Sequence, residues 1–172
     1  MKHLSTFFLC LVLTASLQAA VPTPDSAMTF RIDRDPRKWA IQHQAGNKTG
    51  VILEFVPEGD SIKAWKEMVE HQIAFTKVPL RKYVDTWKEL LLKADPKAEP
   101  KEETLADGSI LVTYTALSAD ETSLRKFIKG KDGIYMLAYH VRPKLKQDET
   151  FKLWEEIVRA ASLLPNPEKK KK

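Results

Sequence analysis

Glu54 is a lone carboxylate inside an otherwise apolar run, Val51-Ile52-Leu53-Glu54-Phe55-Val56. Burying an unpaired charge is costly, so this residue must face solvent or meet a partner such as an Arg, a His or the Trp65 indole N–H. Gln72 poses the same question, because it falls between Val69 and Thr76 on the apolar stripe of an expected helix. Two readings compete for both residues. Either they form a polar spot in a ligand groove, or they are satisfied hydrogen-bond partners that fix strand and helix register. The second is favoured, since a single carboxylate without a nucleophile or base performs no evident chemistry.

Other chemistry-bearing residues are sparse. Four histidines occur, at 3, 43, 71 and 140. Glu67 and His71 are four apart and would share one face of a helix, so they could hold a metal together. Two ligands make a poor site, and the same spacing is common on solvated helices. No glycine-rich phosphate loop, Gly-x-Ser-x-Gly elbow or His-Glu-x-x-His pair is present. We therefore assign no catalytic residue, no metal ligand and no cofactor. Glu54 and Gln72 stand as the binding candidates. Trp65, Trp87 and Trp154 fall on expected apolar helix stripes, where core packing is the default, and Trp39 opens a strand.

Three helices are expected to position these groups. Ile62, Trp65, Val69 and Ile73 are spaced by three and four, predicting a helix over 61–76. A second begins after Pro79, carries Tyr83, Val84, Trp87, Leu90, Leu91 and Ala94, and stops before Pro96. A third spans about 148–163 with Phe151, Trp154, Ile157, Val158 and Ala161 inward and acidic residues at its start. Strands fill the rest. Segments 38–45 and 49–56 flank a Gly46-Asn47-Lys48 turn, and the apolar 51–56 run reads as a central strand covered on both faces. A short edge strand near Thr104 leads through Asp107-Gly108 to a strand over 109–117. Segments 122–129 and 134–142 form a further hairpin, and 28–32 is a short early strand. The segment 95–103 reads as a mobile loop. The expected fold class is thus α+β, one antiparallel sheet packed with three α-helices.

Composition narrows the class further. The 172 residues are 43% hydrophobic and 30% charged with one cysteine, which excludes collagen-like, low-complexity and disulfide-framework chains. The formal charge is +5. Setting aside Lys2 and the four terminal lysines leaves 23 basic against 23 acidic side chains. The basicity belongs to the ends, so a basic pI gives no sign of a nucleic-acid face. The first twenty residues read as a secretory signal: a polar start, the uncharged run Phe7 to Leu13, then small residues before a cut near Ala20. The apolar run is too short to anchor the chain across a membrane. Cys10 sits inside that run rather than at the cut, which argues against lipidation. After cleavage the chain has no cysteine and no thiolate chemistry. Expected organisation is a signal peptide at 1–20, a linker at 21–27, one globular domain at 28–164, and a disordered lysine-rich tail at 165–172.

The run from Val51 to Val69 also resembles a group of uncharacterised secreted bacterial proteins, which share a Glu-aromatic-aliphatic-Pro-x-Gly turn before a Trp-bearing helix. The element order is similar to the PsbP-like architecture, an antiparallel sheet between helices. The resemblance implies fold and export but carries over no activity and no site residue. Together these readings predict a secreted or periplasmic, non-enzymatic binding or accessory domain. Its partner would be an envelope or extracellular protein or a small molecule, with no specific nucleic acid and no transmembrane anchor. The alternative is a metal-independent hydrolase using carboxylates such as Glu54.

Overall fold

The computed structural model describes residues 21–142 and 148–166. The expected signal peptide at 1–20 and the lysines of the tail lie outside the described residues. Within them the chain runs β1 (Ser26–Thr29), a short 3-10 turn (Ile32–Arg34), β2 (Trp39–Asn47), β3 (Gly50–Pro57), β4 (Glu67–Ala74) and α1 (Leu80–Ala94). It continues through β5 (Lys101–Thr104), β6 (Ile110–Ala116), β7 (Glu121–Lys129), β8 (Ile134–Val141), α2 (Glu149–Ala160) and β9 (Ser162–Pro165).

Seven strands form one antiparallel sheet in the order β2-β3-β4-β8-β7-β6-β5, and β1 pairs with β9 in a separate ribbon. Two meanders, β2-β3-β4 and β5-β6-β7-β8, meet where β4 pairs with β8. α1 carries the chain from the middle of the sheet to its far edge. α2 follows β8 and leads into β9.

This corrects the expected fold class. The fold is β-rich, with nine strands and two α-helices among the described residues, rather than an α+β sandwich with three helices. The helix expected at 61–76 does not form: Ser61 to Lys66 make turns and Glu67–Ala74 is β4. The reason lies in the spacing. Val69 and Ile73 are four apart, an even number, so they share a face in a strand as well as in a helix. His71 falls between them with the same orientation, and β4 lies between β3 and β8, so the Val69 row is turned to the α2 core while Glu70 and Gln72 take the other face. The central strand covered on both faces is β8, buried at every position, whereas 51–56 lies one strand from an edge and is mostly half-buried. The loop expected at 95–103 contains the start of β5, and β9 occupies the end expected of the third helix. β1 begins within the expected linker.

Other expectations hold. The expected hairpin forms over 39–57, but its turn is Lys48-Thr49 rather than Gly46-Asn47-Lys48, and the Asn47 side chain accepts from the Thr49 and Gly50 amides at 2.8 and 3.2 Å. Gly108 adopts φ 78° in its turn, a conformation that suits glycine. The Asp148 carboxylate accepts from the Thr150 and Phe151 amides, capping two free donors of α2.

Each helix covers one face. α2 lays Phe151, Trp154, Ile157 and Val158 on Val69, Leu111, Leu124, Leu137 and Tyr139. Trp154 is fully buried, stacks at 5.1 Å on Tyr139, and donates through its indole N–H to Asp35 at 2.8 Å. Arg37 bonds Asp35 and lies 2.9 Å from Glu67, which accepts from the Tyr139 hydroxyl. This clasp ties the 3-10 segment to α2 and the sheet. Buried Lys126 donates to the Arg159 and Ala161 carbonyls at 2.7 and 2.8 Å, closing the C-terminal end of α2. On the other face α1 packs Val84 with Ile110, Val112, Phe127 and Met136.

Candidate functional site

α1 covers only part of its face. Arg81 and Lys88 bond Glu102 of β5, at 2.5 and 2.7 Å, which pins the helix toward that edge. Tyr83 and Trp87 stand on Phe127 of β7, and the Tyr83 hydroxyl reaches the Met136 sulfur of β8 at 4.0 Å. The opposite flank of the helix, through Val78, Lys82, Tyr83, Thr86, Trp87 and Leu90, lines a shallow cleft that is apolar apart from the Lys82 side chain. Beyond β8 no helix of the described residues lies over β4, β3 and β2 on this side; Val56 and Met68 at one end of it are buried, and the open part is the stretch around Ile52, Glu54 and Gln72.

Strand register fixes what this open half-face displays. One row crosses the sheet as His43, Glu54, Glu70, Ala138 and Arg125, one residue per strand from β2 to β7. The adjacent row places Ile52, Gln72 and Met136 together. Both candidate residues, Glu54 and Gln72, therefore share one face and lie one row apart. Both are half-buried, and neither side chain makes a hydrogen bond or ion pair among the described residues. The register-fixing partner expected for them is not found there.

The carboxylate opposite Glu54 behaves differently. Glu70 meets Arg125 at 3.1 Å, both side chains nearly buried, and the Arg125 guanidinium lies 5.1 Å over the Trp87 ring. Next to this pair is a cluster that sequence reasoning missed. Ser123 donates to Glu121 at 2.6 Å, His140 Nδ1 lies 2.9 Å from the same oxygen, and Arg142 donates to the other oxygen at 3.2 Å. Trp65 closes the cluster, edge-on to His140, with Arg142 3.9 Å over its ring. Burial pushes the Glu121 carboxyl up. His140, Ser123 and Arg142 together outweigh that and hold it at about 2. The alternation of Glu121, Ser123 and Arg125 in β7 against His140 and Arg142 was the available signal. It was masked because each residue is separated in sequence by an apolar or neutral neighbour.

Ser, His and Glu in contact invite a nucleophile reading, and the geometry refuses it. A relay needs the serine on one imidazole nitrogen and the carboxylate on the other. Here Ser123 and Glu121 both approach Nδ1, at 2.6 and 2.9 Å. His140 Nε2 is buried, makes no hydrogen bond among the described residues and lies 4.0 Å from Glu70. Ser123 is itself fully buried. The cluster lies on the same sheet face, closed over by Trp65. Among the residues named on this face, Glu70 has Arg125 and Glu121 has His140 and Arg142, whereas Glu54 has no ion-pair partner among the described residues.

The other expected groupings do not assemble. Glu67 and His71 lie on a strand, roughly 13 Å apart at the usual rise, and each has other neighbours: Tyr139 and Arg37 for Glu67, Phe30 for His71. Burial lowers the His71 pKa to about 4. Among the described residues no group of three or more His, Cys, Asp or Glu is placed to hold a metal ion, and no helix is long and apolar enough to cross a membrane. Trp87 and Trp154 pack on helix stripes as expected. Trp65 instead sits in the turn before β4. No protein-family model, no curated protein and no solved structure matches the chain.

Proposed function

We propose that the protein is an exported, non-enzymatic binding domain that receives its ligand on the sheet face beside α1. The observation that carries this reading is Glu54, a half-buried carboxylate without a partner among the described residues, on an open floor next to an apolar helix flank. Unpaired charge in such a place costs stability unless a ligand supplies the counter-charge. The complementary ligand is amphipathic and basic, with a cation for Glu54, a hydrogen-bonding group for Gln72 and an apolar part for Tyr83, Trp87 and Leu90. Export rests on the leader sequence at 1–20. The test compares capture from envelope and secreted fractions on immobilised wild-type and Glu54→Lys protein. Ligand retained by the wild type and lost from an equally stable Glu54→Lys variant supports the site; equal retention by both overturns it.

The carboxylate hydrolase is the second reading, and it draws on His43 and Glu70 flanking Glu54 in one row. Glu70 is committed to Arg125, which leaves one carboxylate and one imidazole on an open surface. Turnover of ester, peptide or glycoside probes that disappears in Glu54→Gln would favour the hydrolase over the binding domain.

A further inference from the structure

The two edges of the large sheet are built differently. β5 is four residues long and reads Lys-Glu-Glu-Thr, with Glu102 and Glu103 held by α1 and α2 side chains. Short, charged edges resist further pairing. β2 at the other edge is nine residues long, Trp-Ala-Ile-Gln-His-Gln-Ala-Gly-Asn, with no Lys, Arg, Asp, Glu or Pro. It is exposed from Ile41 to Asn47 and pairs on one side only among the described residues. Such an edge offers a row of free backbone donors and acceptors to another strand.

We propose that β2 pairs antiparallel with β2 of a second copy of this chain, joining two seven-stranded sheets into one. An uncharged strand meets itself with no like-charge repulsion between its own side chains. The bulge between Ile41 and His43 sets the register. With the two-fold axis at Gln44, Gly46 of one copy opposes the Ile41–Gln42 bulge of the other. Ile41 is 52% exposed, and Val21, 44% exposed, packs beside Gly46. Both occupy the α2 side of the sheet, so each Ile41 comes to lie by the other copy's Val21 and two exposed apolar side chains become covered at each end of the seam. The joint is isologous and closes on itself.

This pairing keeps both open half-faces on the same side. Strands β4, β3 and β2 of each copy become the floor of a single trough, six strands and roughly 30 Å across, walled on both sides by α1. Two Glu54 carboxylates then face one elongated ligand. The trough rests on the binding reading above; the pairing stands on the edge alone.

Sedimentation velocity of the purified protein across a concentration series tests the pairing. The expected result is a reversible shift from one chain mass to two. Gln44→Lys should weaken association at least tenfold, Gln44→Glu likewise, and an equimolar mixture of the two should restore it. Hydrogen exchange on the wild type provides a readout independent of any variant's folding: amides of residues 42–47 should gain protection as concentration rises. A protein that stays monomeric, or a dimer whose protection falls on β5 or α1, overturns the proposal. Failure of Glu54→Lys to affect capture leaves the pairing untouched, because Glu54 lies on β3 and not on the edge.

Discussion

Glu54 and Glu70 are the same chemistry on neighbouring strands, directly opposite each other, and the structure gives their removal opposite signs. Like charges directly opposite in a sheet destabilise it by roughly 0.2–1 kcal/mol, and among the described residues Glu54 makes no ion pair that offsets this. Glu54→Gln keeps the shape and removes the repulsion, so it should stabilise the fold by about that amount. For a chain of this size the melting temperature should rise by roughly 1–3 °C. Glu70 instead holds Arg125 at 3.1 Å, with side-chain exposures of 12% and 9%. Glu70→Ala strands a buried guanidinium, which costs about 3–5 kcal/mol and should lower the melting temperature by roughly 8–15 °C. Melting curves at pH 7.5 in low and high salt measure both. Salt should shrink the Glu54→Gln gain, because a half-exposed repulsion is screened, and should leave most of the Glu70→Ala loss. A fall of several degrees for Glu54→Gln would refute the reasoning, since it would mean that Glu54 has a structural partner.

Three further outcomes follow from the packing. Acid should weaken the fold in two stages. His71, at about 4 when folded against an ordinary 6.5, contributes stability that is complete above about pH 6.5 and is lost as pH falls toward 4. Asp35 and Glu121, each held at about 2, contribute stability that is complete above about pH 4 and is lost as pH falls toward 2; His71→Asn should erase the upper stage in melting curves taken from pH 8 to pH 3. Lys126→Met should cost about 2–4 kcal/mol, because the Arg159 and Ala161 carbonyls lose their donor, and hydrogen exchange should show faster opening of the last turn of α2. Gly133→Ala should destabilise by about 1–3 kcal/mol, since a Cβ there would run into the Ala74 carbonyl oxygen, and the denaturant midpoint should fall accordingly.

Much of the strand layout was legible because hairpin turns carry their own chemistry. Asn47, Asp107-Gly108 and the Gly130-to-Gly133 segment mark three of the reversals, and α1 and α2 are bounded by Pro79 and Asp148. The misreading at 61–76 has one cause: residues spaced by four satisfy both helix and strand, and only the neighbours on each side of β4 decide between them. Those neighbours, β3 and β8, are separated by more than sixty residues in the chain. The candidate site was half legible for a related reason. Glu54 and Gln72 were conspicuous as polar residues among apolar ones, but their common face depends on register across β3 and β4. The Glu121, Ser123, His140 and Arg142 cluster depends on three strands meeting, with Trp65 folded over them. No local spacing encodes that arrangement.

The most direct test of the binding face is hydrogen exchange of the protein alone and with ligand captured from its native envelope or secreted fraction. The expected protection falls on β3 and β4 around Ile52, Glu54 and Gln72 and on the α1 flank from Tyr83 to Leu90, with the α2 face unchanged. Protection centred on α2 or on the β1–β9 ribbon, with β3, β4 and α1 unaffected, would contradict it.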